Sequence, residues 1–367
     1  MKDLKEPTLA LAAALDPSTP KKEWVPLDSC LIEQAVREGV AGILYKSLVG
    51  SGRLESLDRV HREILQAFYY QTLRTNLRLI HALKQVLFQA NEEGIQVLVL
   101  QGMDLLNEPY EDIGLRPMTD IDIWVSKRDF EKIVRILGAL GYERDTVYPS
   151  SFKKGLALFD IHTHILWADR IRARALLLGK NEEDLVEGAR AIEIEGRKAL
   201  CLSPYDQVLY LGLHAFKHRV ERLIWLVDIQ RIVERWNAAD WEKAVRRAED
   251  LNQSGTLRCL LFLLEQVFGF RVPQTAPDTL RRNRLRSLER KILNERVTRG
   301  VIPHWGPVLL FSSQLRLGKR LAFFLETLFP RTEILRQMFP HPHSLKPWQL
   351  YSKRVLQLLG MLRRALS

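Results

Sequence analysis

The spacing of apolar residues along the chain changes twice. Leu31, Ile32, Ala35, Val40, Ile43 and Leu44 recur at helical spacing, with Asp28 or Ser29 as N-cap, up to the break at Gly50-Ser51-Gly52. The stretch from Leu54 to Ala90 has neither proline nor glycine. Its apolar positions, among them Ile64, Phe68, Leu73, Leu77, Ile80, Leu83 and Leu87, predict one or two long amphipathic helices, ended by Glu93-Gly94. Ahead of this region, residues 1–27 read as a weakly anchored lead-in with one short helix around Leu9 to Leu15.

From Ile95 onward strand and helix signals alternate. Gln96 to Leu100 reads as a strand and Met103 to Asn107 as a short helix after Gly102. Ile121 to Val125 alternates polar and apolar residues at period two, the mark of a half-buried strand. Lys127 to Leu140 reads as a helix with Ser126 as N-cap and Gly141 as C-cap, and Tyr142 to Tyr148 and Gly155 to Leu166 read as further strands. Ser203-Pro204 is a helix start, and four helices follow: Tyr205 to Arg219, Arg222 to Trp236, Asp240 to Leu251 and Gly255 to Phe268. Phe270 to Thr275 is a turn. Beyond it, Val301 to Pro307 and Phe339 to Pro347 interrupt a helical remainder in which Val308 to Leu328 is amphipathic. The fold class expected is α+β: a small mixed β-sheet flanked by N-terminal and C-terminal helical regions. The expected units are 1–94 (helical), 95–200 (sheet-bearing core), 201–275 (helical) and 276–367 (a basic helical segment). There is no internal repeat.

Composition adds two points. Residues 281–367 carry 18 Lys and Arg against 4 Asp and Glu, while the rest of the chain carries 37 against 40, so the net charge of +11 belongs to the C-terminal segment. Such a segment suits an acidic partner, a phosphate-rich acceptor or an anionic membrane surface. Cys30, Cys201 and Cys259 lie too far apart for a CxxC pair and are expected to be buried. With no signal-peptide pattern and no run long enough to span a membrane, a cytoplasmic location is expected.

The candidate chemistry lies in the alternating strands. Asp120 and Asp122 fall on one face of theirs, and Asp160, His162 and His164 on one face of the strand after Gly155. A bare Asp-x-Asp is more often a polar strand edge facing water. A third carboxylate on a neighbouring strand would complete an oxygen-rich site for divalent cations.

These residues resemble a known family. Gly102, Tyr110, Arg116, Asp120-x-Asp122 and Asp160-x-His162 match the core of the uncharacterised bacterial nucleotidyltransferases of the polymerase-β-like superfamily. Leu209 to His218 and Leu223 to Asp228 match that family's following helix pair, so the resemblance covers roughly Asp28 to Gly269. It implies a nucleotidyltransferase core in which Asp120, Asp122 and Asp160 hold two Mg²⁺ ions and Asp160 is the base. It also implies that Gln101, Gly102, Arg116, His214, Lys217 and His218 contact the NTP. The implied reaction moves an NMP to a hydroxyl-bearing acceptor, a small molecule or protein in preference to nucleic acid. One position departs from the family: its usual Lys before the glycine is Gln101 here. That departure keeps an alternative open, a catalytically weak or inactive nucleotide- or partner-binding module, or an enzyme in which Lys153 or Lys154 takes the lysine's place.

Simpler readings stand beside these. His162, His164 and His214 form a conceivable zinc set, but a strand-face histidine is more often hydrogen-bonded to a neighbour. His218 is as readily a core histidine as a phosphate contact. Asp228 and Trp225 read as support for the helix pair, Trp124 as core, and His341 and His343 as exposed in a proline-rich turn.

Overall fold

The protein is described by a computed structural model over residues 7–15, 26–168, 171–179, 182–282, 285–312, 315, 317–339 and 345–366. His341 and His343 lie outside the described residues. A short buried helix, α1 (Pro7–Leu15), is followed by α2 (Ser29–Arg37) and α3 (Ala41–Gly50). The sequence reads α2 and α3 as one helix. The chain instead turns between them at Gly39, whose backbone is left-handed (φ +78°), a region open to glycine and strained for other residues. Asp28 caps α2 by accepting from the Leu31 amide.

The expected long helix is a single element, α4 (Arg59–Glu92), 34 residues capped by Asp58. Its buried stripe includes Leu65, Leu79, Leu83, Val86 and Leu87. Of the polar residues also buried on it, two bind the loop ahead of the Asp120 strand. The Tyr69 hydroxyl donates to Asp112, and Asn76 Nδ2 donates to the carbonyls of Ile113 (2.6 Å) and Arg116 (2.8 Å). Gly114 sits against the Tyr69 ring, where a Cβ would come within 2.5 Å of a ring carbon.

The sheet is larger than the sequence suggests. Its strands are β1 (Leu98–Val99), β2 (Ile121–Trp124), β3 (Glu143–Arg144), β4 (Ser151–Lys154), β5 (Ala157–His162), β6 (Arg190–Ile194) and β7 (Arg197–Cys201). They form one seven-stranded mixed sheet in the order β3-β4-β5-β2-β1-β7-β6. β2 runs antiparallel to β1 and parallel to β5, and β1 runs parallel to β7. The β6–β7 hairpin, turning at Glu195-Gly196, is absent from the sequence reading, and the single strand expected from Tyr142 to Tyr148 shrinks to Glu143–Arg144.

Two helices connect these strands, α5 (Gln101–Asn107) after β1 and α6 (Phe130–Ala139) after β2. α6 starts at Phe130, three residues later than expected, because Ser126 spends its hydroxyl on the Asp129 carboxylate (2.6 Å).

After the short α7 (Glu183–Glu187), the four expected helices follow as α8 (Pro204–Lys217), α9 (Ile224–Val233), α10 (Ala238–Asp250) and α11 (Ser254–Phe268). Ser203 caps α8 through the Asp206 amide, with Pro204 in the first turn. The C-terminal segment forms α12 (Asp278–Arg282), α13 (Ser287–Arg299), α14 (Gly306–Ser312), α15 (Leu317–Leu328), α16 (Thr332–Met338) and α17 (Pro347–Leu366). One apolar core runs from α1 through the sheet and α8–α11 to Phe323 of α15. Arg296 of α13, fully buried, closes this body by pairing with Glu38 (2.6 Å) and donating to Thr8 Oγ1 (3.0 Å). Cys201 and Cys259 are buried as expected. Cys30, in the first turn of α2, is exposed.

Candidate active site

The parallel pairing of β2 with β5 sets Asp122 directly opposite Asp160. The alternate residues Ile121, Ile123, Phe159 and Ile161 are fully or almost fully buried on the other face, so period-two alternation fixes which face carries the carboxylates. Asp120 stands one residue ahead of β2, half-buried, with Thr119 Oγ1 3.1 Å from its Oδ1. Burial, then the charges of Asp122 and Asp160, push the Asp120 carboxyl up to about 6, so the three groups lie within electrostatic reach of one another. Each flanking carboxylate already has a neighbour. His162 Nε2 lies 2.9 Å from Asp122 Oδ1, and the Ser151 hydroxyl donates to Asp160 in a very short contact. Among the described residues no set of three or more His, Cys, Asp or Glu side chains is already arranged around a metal position. The oxygen donors are nonetheless of the type a hard divalent cation takes.

Arg116 borders this group. It is buried and faces Asp228 of α9, which is fully buried: Nη2 lies 3.0 Å from Oδ2, with Nε at 3.3 and 3.2 Å from the two oxygens. Tyr110 donates to the same carboxylate at 2.7 Å. Burial alone would lower the Arg116 guanidinium; Asp228, then Tyr110 and Asp120, hold it above its ordinary range. Asp228 is thus the anchor of Arg116 as well as a support for the helix pair. Gly102 is shaped to Arg116. A Cβ there would come within 2.4 Å of Arg116 Nη1 and of Met118 Sδ, so the close approach that glycine permits is to these side chains.

The face of α8 completes the surroundings. Tyr210 and His214, four residues apart on one helix face, are both buried. The Tyr210 hydroxyl lies beside the Gln101 amide and in the field of Asp122 and Asp120, without a hydrogen bond of proper geometry. His214 Nδ1 is likewise buried without a partner. Burial, then His218, Lys217 and Arg116, hold the His214 imidazole well below the usual histidine range, so it is neutral. Trp167 stacks on Tyr210 (5.5 Å between ring centroids) and lies 5.9 Å from His214, with Lys217 Nζ 4.0 Å from its own ring centre. His218 and Trp225 close the cluster around His214, at 4.7 and 5.4 Å.

The candidates named from sequence therefore gather in two adjoining groups, Asp120/Asp122/Asp160 with Arg116, and His214 and Lys217 of α8 with His218, the residue that caps it. Gln101 links them. It opens α5 with a left-handed backbone (φ +52°), a strained conformation for a non-glycine residue. His164 does not join His162 and His214 in a zinc set. It sits 3.2 Å from Glu182, whose carboxylate also accepts from the Ile165 and Leu166 amides. Lys154 donates to the Leu140 carbonyl. Lys153 shares the sheet face of Ser151 and Asp160. The sequence reading missed Trp167, Tyr210 and Ser151. Of these, only Tyr210, one turn before His214 on the same helix, left a usable signal.

Residues 27–269 match the sequence pattern of a family described as uncharacterised nucleotidyltransferase. The chain belongs to that family. The match starts just ahead of α2 and ends at Gly269, the left-handed residue that closes α11, so it takes in every residue described in this section and leaves out the basic C-terminal segment. Membership supports nucleotidyl transfer as the general activity. Among solved structures, the antibiotic-resistance factor ANT(2'')-Ia is similar at 18% identity with a TM-score of 0.35, over 48% of this chain and 92% of that one, too slight a likeness to position residues. Comparison with curated proteins gives no match. No helix among the described residues is long and apolar enough to cross a membrane.

Proposed function

We propose that this nucleotidyltransferase moves a nucleoside monophosphate from an NTP to a hydroxyl on a small-molecule or protein acceptor. The observation that carries the reading is the register of Asp122 against Asp160, with Asp120 beside them pushed to about 6 by burial first and then by both charges. Carboxylates crowded in this way repel, and a bound cation removes the repulsion. Asp120, Asp122 and Asp160 would hold Mg²⁺, with two ions as the expected number. The metal would supply charge neutralisation at the α-phosphate and at the departing oxygens.

The protein's own share is positioning. The acceptor hydroxyl attacks the α-phosphorus, the bond to the β-phosphate bridging oxygen breaks, and pyrophosphate leaves with the bonding electrons. Asp160 takes the hydroxyl proton, its second oxygen held by Ser151. His162 fixes the orientation of Asp122. Gln101 and Gly102 at the start of α5, His214 and Lys217 of α8 and His218 just after it would border the nucleotide, while Tyr210 Oη and His214 Nδ1 lie buried behind them without a partner. Arg116, bound to Asp228, contributes positive charge at the edge of the site without leaving its partner.

Calorimetric titration of the protein with NTP and Mg²⁺, followed by transfer assays on candidate acceptors, tests this. Wild type should bind, and Asp120→Ala/Asp122→Ala should lose transfer by at least about 10²–10³-fold. Equal binding and transfer by that variant would defeat the proposal. A second reading, a non-catalytic nucleotide-binding module, draws on Gln101, a neutral amide where the family has a cation. Transfer that disappears in Asp160→Ala would exclude it.

A further inference from the structure

The basic C-terminal helices lie outside the family match and keep an apolar surface uncovered. On α15, Leu317, Leu321 and Leu325 are spaced by four and are 81, 60 and 53% exposed. On α17, Trp348, Val355 and Leu359 fall on one helix face with Leu356 beside them, and Trp348 and Leu356 are 65 and 68% exposed. Exposed leucines at this density on consecutive turns mark a contact surface. Exposed basic residues accompany the α17 face, Lys346 just ahead of the helix and Lys353 and Arg363 on it.

The two helices are held to one another. Arg354 of α17 is buried and donates to the carbonyls of Leu328 (2.8 Å) and Thr327 (3.2 Å), the last turn of α15, while Tyr351 donates to the Pro330 carbonyl. The inner side of α15 is committed to the body of the protein. Phe323 is buried against Phe311, and Glu326 accepts from the Arg172 and Ala173 amides. The outward leucines are therefore surplus to packing.

We infer that α15 and α17 form a peripheral docking surface for an anionic lipid bilayer. An amphipathic helix with apolar residues on one face and Lys or Arg at its borders lies in the headgroup plane. The 18-to-4 excess of basic over acidic residues from 281 to 367 supplies attraction to acidic headgroups. Charge argues against a second copy as the occupant, because a two-fold contact would set one basic face against its like. The exposed side chains are mainly leucines, which do not offer the stacking platform that single-stranded nucleic acid uses. The inference does not depend on the proposed transfer reaction.

The test is flotation of the full-length protein with phosphatidylglycerol-rich vesicles and with pure phosphatidylcholine vesicles. Binding to the anionic vesicles should be stronger by about tenfold or more and should weaken as salt is raised. Leu321→Glu/Leu325→Glu and Trp348→Glu should each lower binding several-fold while keeping the wild-type melting temperature, since these side chains are exposed. Lys353→Glu/Arg363→Glu should lower it without touching an apolar residue. The inference is overturned if anionic vesicles fail to carry the protein, or if all three variants float like wild type. It is also overturned if the leucine variant instead dissolves a dimer seen in sedimentation, or if labelled single-stranded RNA outcompetes the vesicles.

Discussion

Arg116 and Arg296 are both buried, and each pairs with a carboxylate distant in sequence, Asp228 across 112 residues and Glu38 across 258. Their surroundings differ. Asp228 takes two guanidinium nitrogens and the Tyr110 hydroxyl, and it holds the Arg116 charge above its ordinary range against the effect of burial. At Arg296 burial wins over Glu38, the guanidinium is lowered, and Nε has no hydrogen-bond partner. A buried ion pair gains little net stability, but breaking it strands a charge. The first pair is placed where its charge reaches Asp120; the second joins α13 to the N-terminal helices and touches no candidate site residue. Similar chemistry thus sets a potential in one place and closes a seam in the other.

The largest effects should come from breaking each pair. Arg116→Met and Arg296→Met should each cost about 3–5 kcal/mol in urea unfolding. Only Arg116→Met should also lower transfer per folded molecule. Equal transfer losses in the two variants would erase the distinction.

Asp104 of α5 sharpens the contrast, since its carboxylate is buried and bonded to the Gln207 amide (2.6 Å), not to a guanidinium. Burial, only partly offset by Arg190, pushes it up to about 7. The folded state therefore holds this proton more tightly than the unfolded chain. The associated stability is complete below about pH 4 and is lost as pH rises to about 7, on the order of 3–4 kcal/mol. Thermal melts across that window should flatten in Asp104→Asn. An unchanged slope would remove Asp104 from the account.

Gly102→Ala tests the fit around Arg116 and should cost about 1–3 kcal/mol, because the new methyl would meet Arg116 and Met118. Last, Gln101→Gly should relieve the left-handed backbone and raise stability by about 1 kcal/mol. A fall in stability would mean that the Gln101 side chain holds more than its backbone costs.

Much of the candidate site could be read from the sequence because its signal is local. Asp120-Ile121-Asp122 and Asp160-Ile161-His162 announce both their strands and their shared face through period-two alternation. The helices after Ser203 carry their own caps. What escaped depends on contacts made far along the chain. The role of Asp228 needs Arg116, 112 residues earlier, and β7 is recruited to β1 across about a hundred residues. The Trp167 cluster arises only when the loop after β5 folds onto α8. In β6 and β7 charged residues interrupt the alternation, so the hairpin gave only a weak pattern.

Tyr69 and Asn76, which hold the loop leading to Asp120, are seven residues apart, nearly two full helical turns, so both point to the same side. Substitutions between them, at residues 70–75, leave that spacing intact. A single inserted or deleted residue would swing one anchor about 100° around the helix and release either the Asp112 end or the Arg116 end of the loop. The exposed positions of this stretch, Tyr70, Gln71 and Arg74, are open to substitution, but its length is not.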